Sequence, residues 1–107
     1  MKKRGEIWWI NFDPSVGQEV SKKRPAIVIS NDVSNKYLKR YQVIPLSTQI
    51  NKLYPSETLI KVKRLDNKAM ADQLTTVSEL RFIEKIGKVT NSELKEIERI
   101  IRLQLDL

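Results

Sequence analysis

The 107-residue chain contains neither cysteine nor histidine. Without cysteine it cannot form a disulfide, and the lack of both residue types argues against a structural zinc site, which is built mainly from them. The same absences exclude Cys/His and Ser/His/Asp catalysis and any acid–base step through an imidazole. No two acidic residues share a short strand in the N-terminal half, so we expect no metal and no other cofactor. An enzyme of this composition has to use Arg, Lys, Asp, Glu, Ser, Thr and Tyr.

Long hydrophobic runs are absent as well. No apolar stretch approaches the roughly 18–20 residues needed to cross a bilayer. The basic start resembles a signal peptide, but Glu6 and Asn11 interrupt the apolar part and no small-residue cleavage site follows. We therefore expect a cytoplasmic protein with no membrane association. The length and the 40% of apolar residues predict one compact domain over residues 1–107.

The chain is basic, and its charge is unevenly distributed. The net charge is +7, with 13 Lys/Arg against 5 Asp/Glu in residues 1–64 and 7 against 8 in residues 65–107. A basic N-terminal body suggests a phosphate-bearing partner such as nucleic acid, or an acidic protein. A basic but merely solvated surface is the plainer alternative, and charge alone does not decide between them.

Short runs of β-forming residues, separated by polar and turn-prone segments, predict six strands. They fall at residues 5–12, 25–30, 41–46, 57–63, 69–77 and 82–89. The second run is continuously apolar up to Ile29, as is typical of a strand buried on both faces. Pro45 cannot donate to a ladder, which favours an edge or a bulge at that point. Asn31 to Arg40 is polar and is interpreted as a loop with at most one helical turn.

The tail of the chain differs in kind. Thr90 and Glu93 fit an S/T-x-x-E capping box, which marks the start of a helix. The apolar residues that follow recur at helical spacing and form one stripe: Leu94, Ile97, Ile101 and Leu105. Short strands with one terminal helix predict a mainly β fold, a small half-open barrel of the SH3-like kind.

Alternation along the first strand divides its aromatic residues between two faces. Trp8, Ile10 and Phe12 share one face, which we interpret as core. Trp9 points the other way and is available for a dimer interface or for stacking on RNA.

Three motif blocks carry a family resemblance. They are Arg4-Gly5-Glu6-Ile7-Trp8 with Asp13-Pro14, Gly17, Glu19 and Arg24–Ser30; then Pro45-Leu46-Ser47-Thr48-Gln49; then Ala71-Asp72-Gln73. In this order and spacing they resemble the MazF/PemK toxins of bacterial toxin–antitoxin systems. The resemblance runs from about residue 4 to the C-terminal helix, which is nearly the whole chain.

The resemblance implies a fold, an activity and partners. The family is similar to an SH3-like barrel, acts as a homodimer and cuts single-stranded RNA at short sequences without a metal. An antitoxin with an acidic, disordered tail covers its RNA groove. The family's catalytic arginine corresponds to Arg24, and its catalytic hydroxyl to Ser47 or Thr48. Relatives often have threonine at the Ser47 position, and serine keeps the hydroxyl. Some relatives carry a histidine in the first loop, so any mechanism that needs it does not transfer.

The expected chemistry uses the nucleophile that RNA itself carries. The 2′-OH lies beside the scissile phosphate, so the attack is intramolecular. Arg24 can stabilise the negative charge that develops on the phosphate and can donate a proton to the leaving oxygen. The hydroxyl of Ser47 or Thr48 can donate a hydrogen bond to a non-bridging phosphate oxygen. Glu19, kept ionised by pairing with Arg24, is the candidate base. The expected products are a 2′,3′-cyclic phosphate and a 5′-OH, and DNA should resist cleavage.

Further substrate-binding candidates lie in the loops and next to the Asp72 motif. They are Lys22, Lys23, Gln49, Tyr54 and Gln73. The main candidates also have plainer interpretations: Arg24 is a surface partner of Glu19, and Ser47 and Thr48 are caps of the turn after the third strand. Without the family resemblance, the plainer interpretation is favoured for both.

Two functions from other classes compete with RNA cleavage. Gyrase inhibitors of the CcdB kind share the barrel and grip their target through C-terminal residues. The C-terminus here is Gln-Leu-Asp-Leu, without the aromatic ending associated with such binding. A non-catalytic RNA- or DNA-binding barrel is the other alternative, because small barrels host all three roles.

Overall fold

The apolar runs near the start of the chain form the middle of one antiparallel sheet. The computed structural model describes residues 1–107. Its elements, in chain order, are β1 Glu6–Asn11, β2 Lys23–Val28, α1 Asp32–Tyr37, β3 Arg40–Ser47, β4 Glu57–Val62, β5 Leu65–Met70, β6 Thr75–Ser78, β7 Phe82–Lys88 and α2 Asn91–Leu105. Two 3₁₀ turns, Ala71–Gln73 and Glu79–Arg81, flank β6.

The strands lie in the order β4-β5-β3-β2-β1-β7, and β6 pairs with the first half of β3. All neighbours are antiparallel. The sheet curls into a half-open barrel with α2 packed against it, which confirms the predicted fold class. Neither helix has the length and apolar character of a membrane span.

Both faces of the central strands are buried, as the continuous apolar run in β2 predicted. Ala26, Ile27 and Val28 are all fully buried. Ile27 packs with Ile44, Leu46 and the α2 residues Ile97 and Ile100 in one core cluster. The opposite face of the sheet carries a second cluster, made of Ile10, Phe12, Ala26, Val28, Tyr41, Val43 and Val77. The predicted core face of β1 is confirmed, since Trp8 packs against this second cluster.

The predicted fifth strand, residues 69–77, is wrong as a single element. The chain forms β5 over Leu65–Met70, then a 3₁₀ turn, then β6 over Thr75–Ser78. Most of β5 was missed because Asp66, Asn67 and Lys68 have low intrinsic strand propensity. Pairing with β4 along its whole length overrides that propensity and buries Asn67 and Lys68.

The predicted loop at Asn31–Arg40 contains a six-residue helix, α1, and so has somewhat more structure than expected. Asn31 caps it, because its side chain accepts a hydrogen bond from the Ser34 N–H at 2.9 Å. Such a cap satisfies one of the unpaired amides of the first turn.

Pro45 lies in a central strand and not at a sheet edge. On one side it pairs with Ala26 of β2. On the other side β6 pairs with residues 40–43 and β5 with residues 46–47, so Pro45 falls where the partner strand changes. A residue without an N–H fits this break, because no continuous ladder runs past it there.

The C-terminal helix begins as predicted, with both hydrogen bonds of the Thr90–Glu93 capping box formed. The predicted apolar stripe holds for Leu94, Ile97 and Ile101, which pack in or against the core, but not for Leu105. Ile97 and Ile100 are fully buried, whereas Leu105 is 49% exposed. The stripe therefore ends before the last turn of the helix.

Glu6 is a buried carboxylate that ties the N-terminus to β1 and β7. It accepts hydrogen bonds from the Lys3 N–H at 2.9 Å and the Trp8 Nε1–H at 3.0 Å, and it pairs with Lys85 at 3.0 Å. Burial by itself would raise the pKa of Glu6, but the hydrogen bonds and the Lys85 charge outweigh it and hold the pKa below its ordinary value of 4.5. The ionised carboxylate therefore stabilises the fold.

We predict that Glu6→Gln lowers the free energy of unfolding at pH 7 by about 1–2 kcal/mol, because it weakens three charge-assisted interactions. A lowered folded-state pKa gives stability that is present above the unfolded pKa and is lost as pH falls through the folded one. Urea unfolding at pH 7 and at pH 3 measures this. The variant should differ from wild type at pH 7 and much less at pH 3. Glu96→Gln, at an exposed pair with Arg99, is the control and should change little.

Candidate active site

A cleft of about 610 Å³ opens where β1, β2, β3, the β4–β5 hairpin and β7 converge. Its apolar lining comes from Trp9, Pro25, Leu46, Val62, Leu65 and Ile86. Polar and charged side chains complete it: Lys22, Lys23, Arg24, Ser47, Thr48, Lys63, Asn67 and Glu84. Five of the sequence-predicted site residues thus lie together, and Trp9 faces them as its alternation predicted.

Strand register brings Arg24 and Ser47 together. The β2–β3 ladder pairs Val28 with Val43 and Ala26 with Pro45. Arg24 of β2 and Ser47, the last residue of β3, lie two residues beyond the last pair of this ladder, and both line the cleft. Residues opposite each other on antiparallel strands point to the same face. The next residue, Thr48, follows the end of the strand and therefore does not share this register position.

The Arg24 side chain is held at one atom and free at the others. Its Nε donates to the Ser21 carbonyl oxygen at 3.0 Å. The two terminal nitrogens of the guanidinium donate to no protein atom, and Arg24 takes part in none of the five ion pairs. The predicted Glu19–Arg24 pair is therefore not formed. What remains is an oriented guanidinium with its fork of N–H groups open to a ligand.

The two candidate hydroxyls differ in their surroundings. Ser47 is 7% exposed, and its Oγ accepts a hydrogen bond from the Gln49 N–H at 3.1 Å. The cap interpretation is thus correct for its oxygen, but the hydroxyl proton is still free to be donated. Thr48 is exposed and its side chain makes no hydrogen bond within the protein. Ser47 is the better oriented of the two donors.

Glu19 does not lie in this cleft, which removes the geometric basis for its predicted role. Its Oε1 accepts the Val16 N–H at 2.8 Å, and it lines a second groove of about 320 Å³. The reason is that the β1–β2 loop folds over the 3₁₀ turn at residues 71–73. Gln73 holds it there, accepting the Val20 N–H at 3.2 Å. The sequence shows no sign of this docking.

Glu84 is the carboxylate that sequence reasoning missed. It lies on β7 opposite Trp9, which in turn lies opposite Pro25, so all three share one face. It is the only acidic residue that lines the cleft. No sequence pattern points to Glu84, because its position depends on the pairing of β7 with β1, two strands that are far apart in the sequence.

The cleft carries an uncompensated positive charge. Lys22, Lys23, Arg24 and Lys63 line it with Glu84 as the one opposite charge, and none of the four cations forms an ion pair with any carboxylate. Clustered cations repel each other in the free protein. The arrangement suits a polyanionic ligand.

The other three predicted substrate-binding residues lie outside the cleft. Gln49 and Tyr54 are in the exposed β3–β4 loop, where the Tyr54 ring is flanked by the Lys52 and Lys68 ammonium groups at 5.2 and 5.5 Å. Gln73 lines the second groove, and its side chain serves to hold the β1–β2 loop.

Comparison with known proteins extends over the whole chain. Among curated proteins, it is 35% identical to endoribonuclease MazF9 of Mycobacterium tuberculosis, with 100% of this chain and 98% of that protein covered. It is 27% identical to endoribonuclease EndoA of Bacillus subtilis, with 98% and 95% covered. Among solved structures, MazF of Deinococcus radiodurans superimposes with a TM-score of 0.87 at 23% identity, covering 99% of this chain and 97% of that one. A mycobacterial endoribonuclease in complex with its antitoxin gives 0.85 at 18% identity, covering 100% and 97%.

The fold and the cleft therefore define a small toxin barrel. Residues 3–105 match the family described as PemK-like, MazF-like toxin of type II toxin–antitoxin systems, and the chain belongs to that family. The family predicted from the motif blocks is confirmed. Both curated relatives are named endoribonucleases, which agrees with the enzyme class predicted from the sequence.

We predict that Gln73→Leu loosens the β1–β2 loop, because the Val20 amide loses its acceptor. The loss of one such bond, about 1 kcal/mol, should speed hydrogen exchange of the Val20 amide roughly five-fold. Gln73→Glu keeps an acceptor oxygen and is the control. Equal exchange in both variants would mean that the loop is held by other contacts.

Proposed function

We propose that the chain is a sequence-specific, metal-independent endoribonuclease that cuts single-stranded RNA, including mRNA, to leave 2′,3′-cyclic phosphate and 5′-OH ends. The observation that carries this proposal is the juxtaposition of Arg24, with an open guanidinium fork, and the Ser47 hydroxyl in a cleft lined by unpaired cations. A phosphate in this position meets several donors, with Glu84 as the one carboxylate that lines the cleft.

In the proposed reaction, the RNA 2′-oxygen attacks the adjacent phosphorus while the bond from phosphorus to the 5′-oxygen breaks. The negative charge on the phosphate oxygens grows in the transition state. The terminal N–H groups of Arg24 donate to those oxygens, and the Ser47 hydroxyl, or that of Thr48, donates to a non-bridging one. Both donors are already oriented before the substrate binds, so little reorganisation is needed. The departing 5′-oxygen is hydrogen-bonded by Arg24 and takes a proton from water in the open cleft.

The 2′-OH proton needs an acceptor, and we assign this role to Glu84 in place of Glu19. Glu84 is the carboxylate that lines the cleft, whereas Glu19 lines the second groove and its carboxylate is engaged by the Val16 amide. Glu84 is exposed, and the other charged residues that line the cleft are cations.

Substrate positioning is assigned to Lys22 and Lys23, which line the cleft and lie beside Arg24. Gln49 and Tyr54, from the neighbouring loop, are proposed to contact bases beyond the scissile phosphate. Gln73 is proposed to act on RNA mainly by holding the β1–β2 loop, whose exposed edge borders both grooves.

The proposed partners follow from charge and family. An antitoxin with an acidic, disordered tail fits the cationic cleft and would exclude RNA from it. This proposal is supported by relatives of similar fold, since MazF of Deinococcus radiodurans has been solved as a MazE–MazF complex. We further propose that the chain acts as a homodimer in the cytoplasm, where its RNA substrates are.

We predict that the purified protein cuts a long mixed-sequence single-stranded RNA in excess EDTA into discrete fragments with cyclic-phosphate ends. Arg24→Ala should lower kcat/KM by about 10²–10³, because it removes a transition-state donor. Ser47→Ala should have a larger effect than Thr48→Ala. Arg24→Lys, which keeps the charge and loses the planar fork, should recover only part of the activity.

Intact RNA after incubation with folded, antitoxin-free protein would contradict the enzymatic proposal. Salt-dependent binding without products would then point to a non-catalytic RNA-binding barrel. Inhibition of gyrase supercoiling would point to the CcdB-like alternative. DNA of the matching sequence, which lacks the 2′-OH, is the control for the nucleophile.

A separate prediction concerns the base. Glu84→Gln should reduce cleavage by about 10²–10⁴, the usual range for a positioned general base, and should abolish the fall in rate on the acidic side of the pH profile. Glu19→Gln removes the same charge outside the cleft and should stay close to wild type. The reverse order of the two variants would return the role to Glu19. Unchanged rates in both would exclude these two carboxylates as the base.

A further inference from the structure

The β4–β5 hairpin turns through two residues whose conformation is unusual for their type. Val62 pairs with Leu65, which leaves Lys63 and Arg64 as a two-residue loop. Their φ angles are +49° and +70°, both in the left-handed region. Two-residue hairpin loops with positive φ at both positions strongly prefer Asn-Gly, Asp-Gly or Gly-Gly. This hairpin has two long cationic side chains instead.

Lys63 and Arg64 do not stabilise the fold more than the usual turn residues would. A residue with a Cβ in the left-handed region is disfavoured by about 1–2 kcal/mol, and lysine and arginine lack the short polar side chain that helps asparagine there. Neither side chain forms an ion pair, and both residues are exposed. Asparagine and glycine would make the same turn with less strain, so contacts within the chain do not explain the two cations.

Their position relative to the cleft gives an explanation. Lys63 lines the cleft, and its neighbours in the hairpin, Val62 and Leu65, line it too. Lys22, another cation that lines the cleft, also has a left-handed conformation, with φ of +68°, as do Lys39 and Asp106 outside it. Strain of this kind tends to persist where a side chain serves a ligand.

We propose that Lys63 and Arg64 bind phosphates of a single-stranded nucleic acid that leaves the cleft across the hairpin. This inference rests on the proposed function, since it extends the track of the same RNA. Arg64 presents a planar fork suited to phosphate oxygens, and Lys63 presents a flexible point charge. The strained turn lowers stability but supplies two contacts to the phosphate backbone of the nucleic acid. These contacts strengthen binding of any sequence and carry no information about bases.

The test is a double variant, Lys63→Asn with Arg64→Gly, whose effects on stability and on binding should have opposite signs. Its thermal midpoint should rise by about 4–8 °C, because the turn adopts its preferred residues. Binding of mixed-sequence single-stranded DNA, which cannot be cleaved through a 2′-OH, should weaken roughly ten- to thirty-fold at 0.1 M salt. The slope of log affinity against log salt should flatten by about 1.4, or 0.7 for each lost phosphate contact.

Two further variants separate the loss of phosphate contacts from a general loss of charge and from the change of turn residues. Lys95→Gln with Arg102→Gln removes the same charge from exposed, unpaired positions on α2 and should leave the slope unchanged. Lys63→Gln with Arg64→Gln removes the cations without supplying turn-forming residues. It should flatten the slope as much as the Asn-Gly variant, with no rise in the thermal midpoint.

Equal slopes for wild type and the Asn-Gly variant would overturn the inference, as would an equal flattening in the α2 control. A lower thermal midpoint in the Asn-Gly variant would also overturn it, because the cations would then be structural.

RNA cleavage by the wild type, run in parallel, separates the two proposals. A flattened slope without cleavage keeps the phosphate contacts and refutes the nuclease. Cleavage with an unchanged slope refutes only the contacts.

Discussion

The site depends on the pairing of β2 with β3. Burial of Ala26, Ile27 and Val28 on both faces of the sheet fixes the register of these strands, since a slip of one residue would exchange the two core clusters. Arg24 and Ser47 lie just beyond the last pair of this ladder, Ala26 with Pro45, and both line the cleft. The chemistry is therefore placed by hydrophobic pairing several residues away, and a rigid ladder holds two donors that a loop alone would leave mobile.

The strands and the helix that the sequence predicted are governed by local pattern, whereas Arg24 and Ser47 were identified as site residues through the family resemblance. Arg24 and Ser47 belong to strands that are consecutive in the sheet and strongly apolar, and Thr90 begins its helix through a capping box that spans four residues. The parts that were missed depend on distant contacts. Glu84 reaches the cleft only because β7 returns to β1, and Glu19 leaves it because Gln73 captures the loop. β5 is polar in sequence and becomes a strand only through its partner β4.

Around the cleft, features that favour ligand binding lower the stability of the free protein. The cations that face the cleft form no ion pair within the chain, and they are clustered around one cavity. Lys22, Lys63 and Arg64 also occupy backbone conformations that suit other residues better. A polyanionic ligand would supply the missing countercharge. In the free protein, these cations therefore have no countercharge and the strained backbone has no compensating contact.

The open edge of the sheet at β7 has a consequence for behaviour at high concentration. An exposed edge strand offers unpaired backbone groups on which another chain can add, and this is a common route to fibrils. β7 carries Glu84, Lys85 and Lys88 and has two register irregularities against β1. Charges and an uneven edge discourage such growth. These features work against edge-to-edge addition of a second chain at β7.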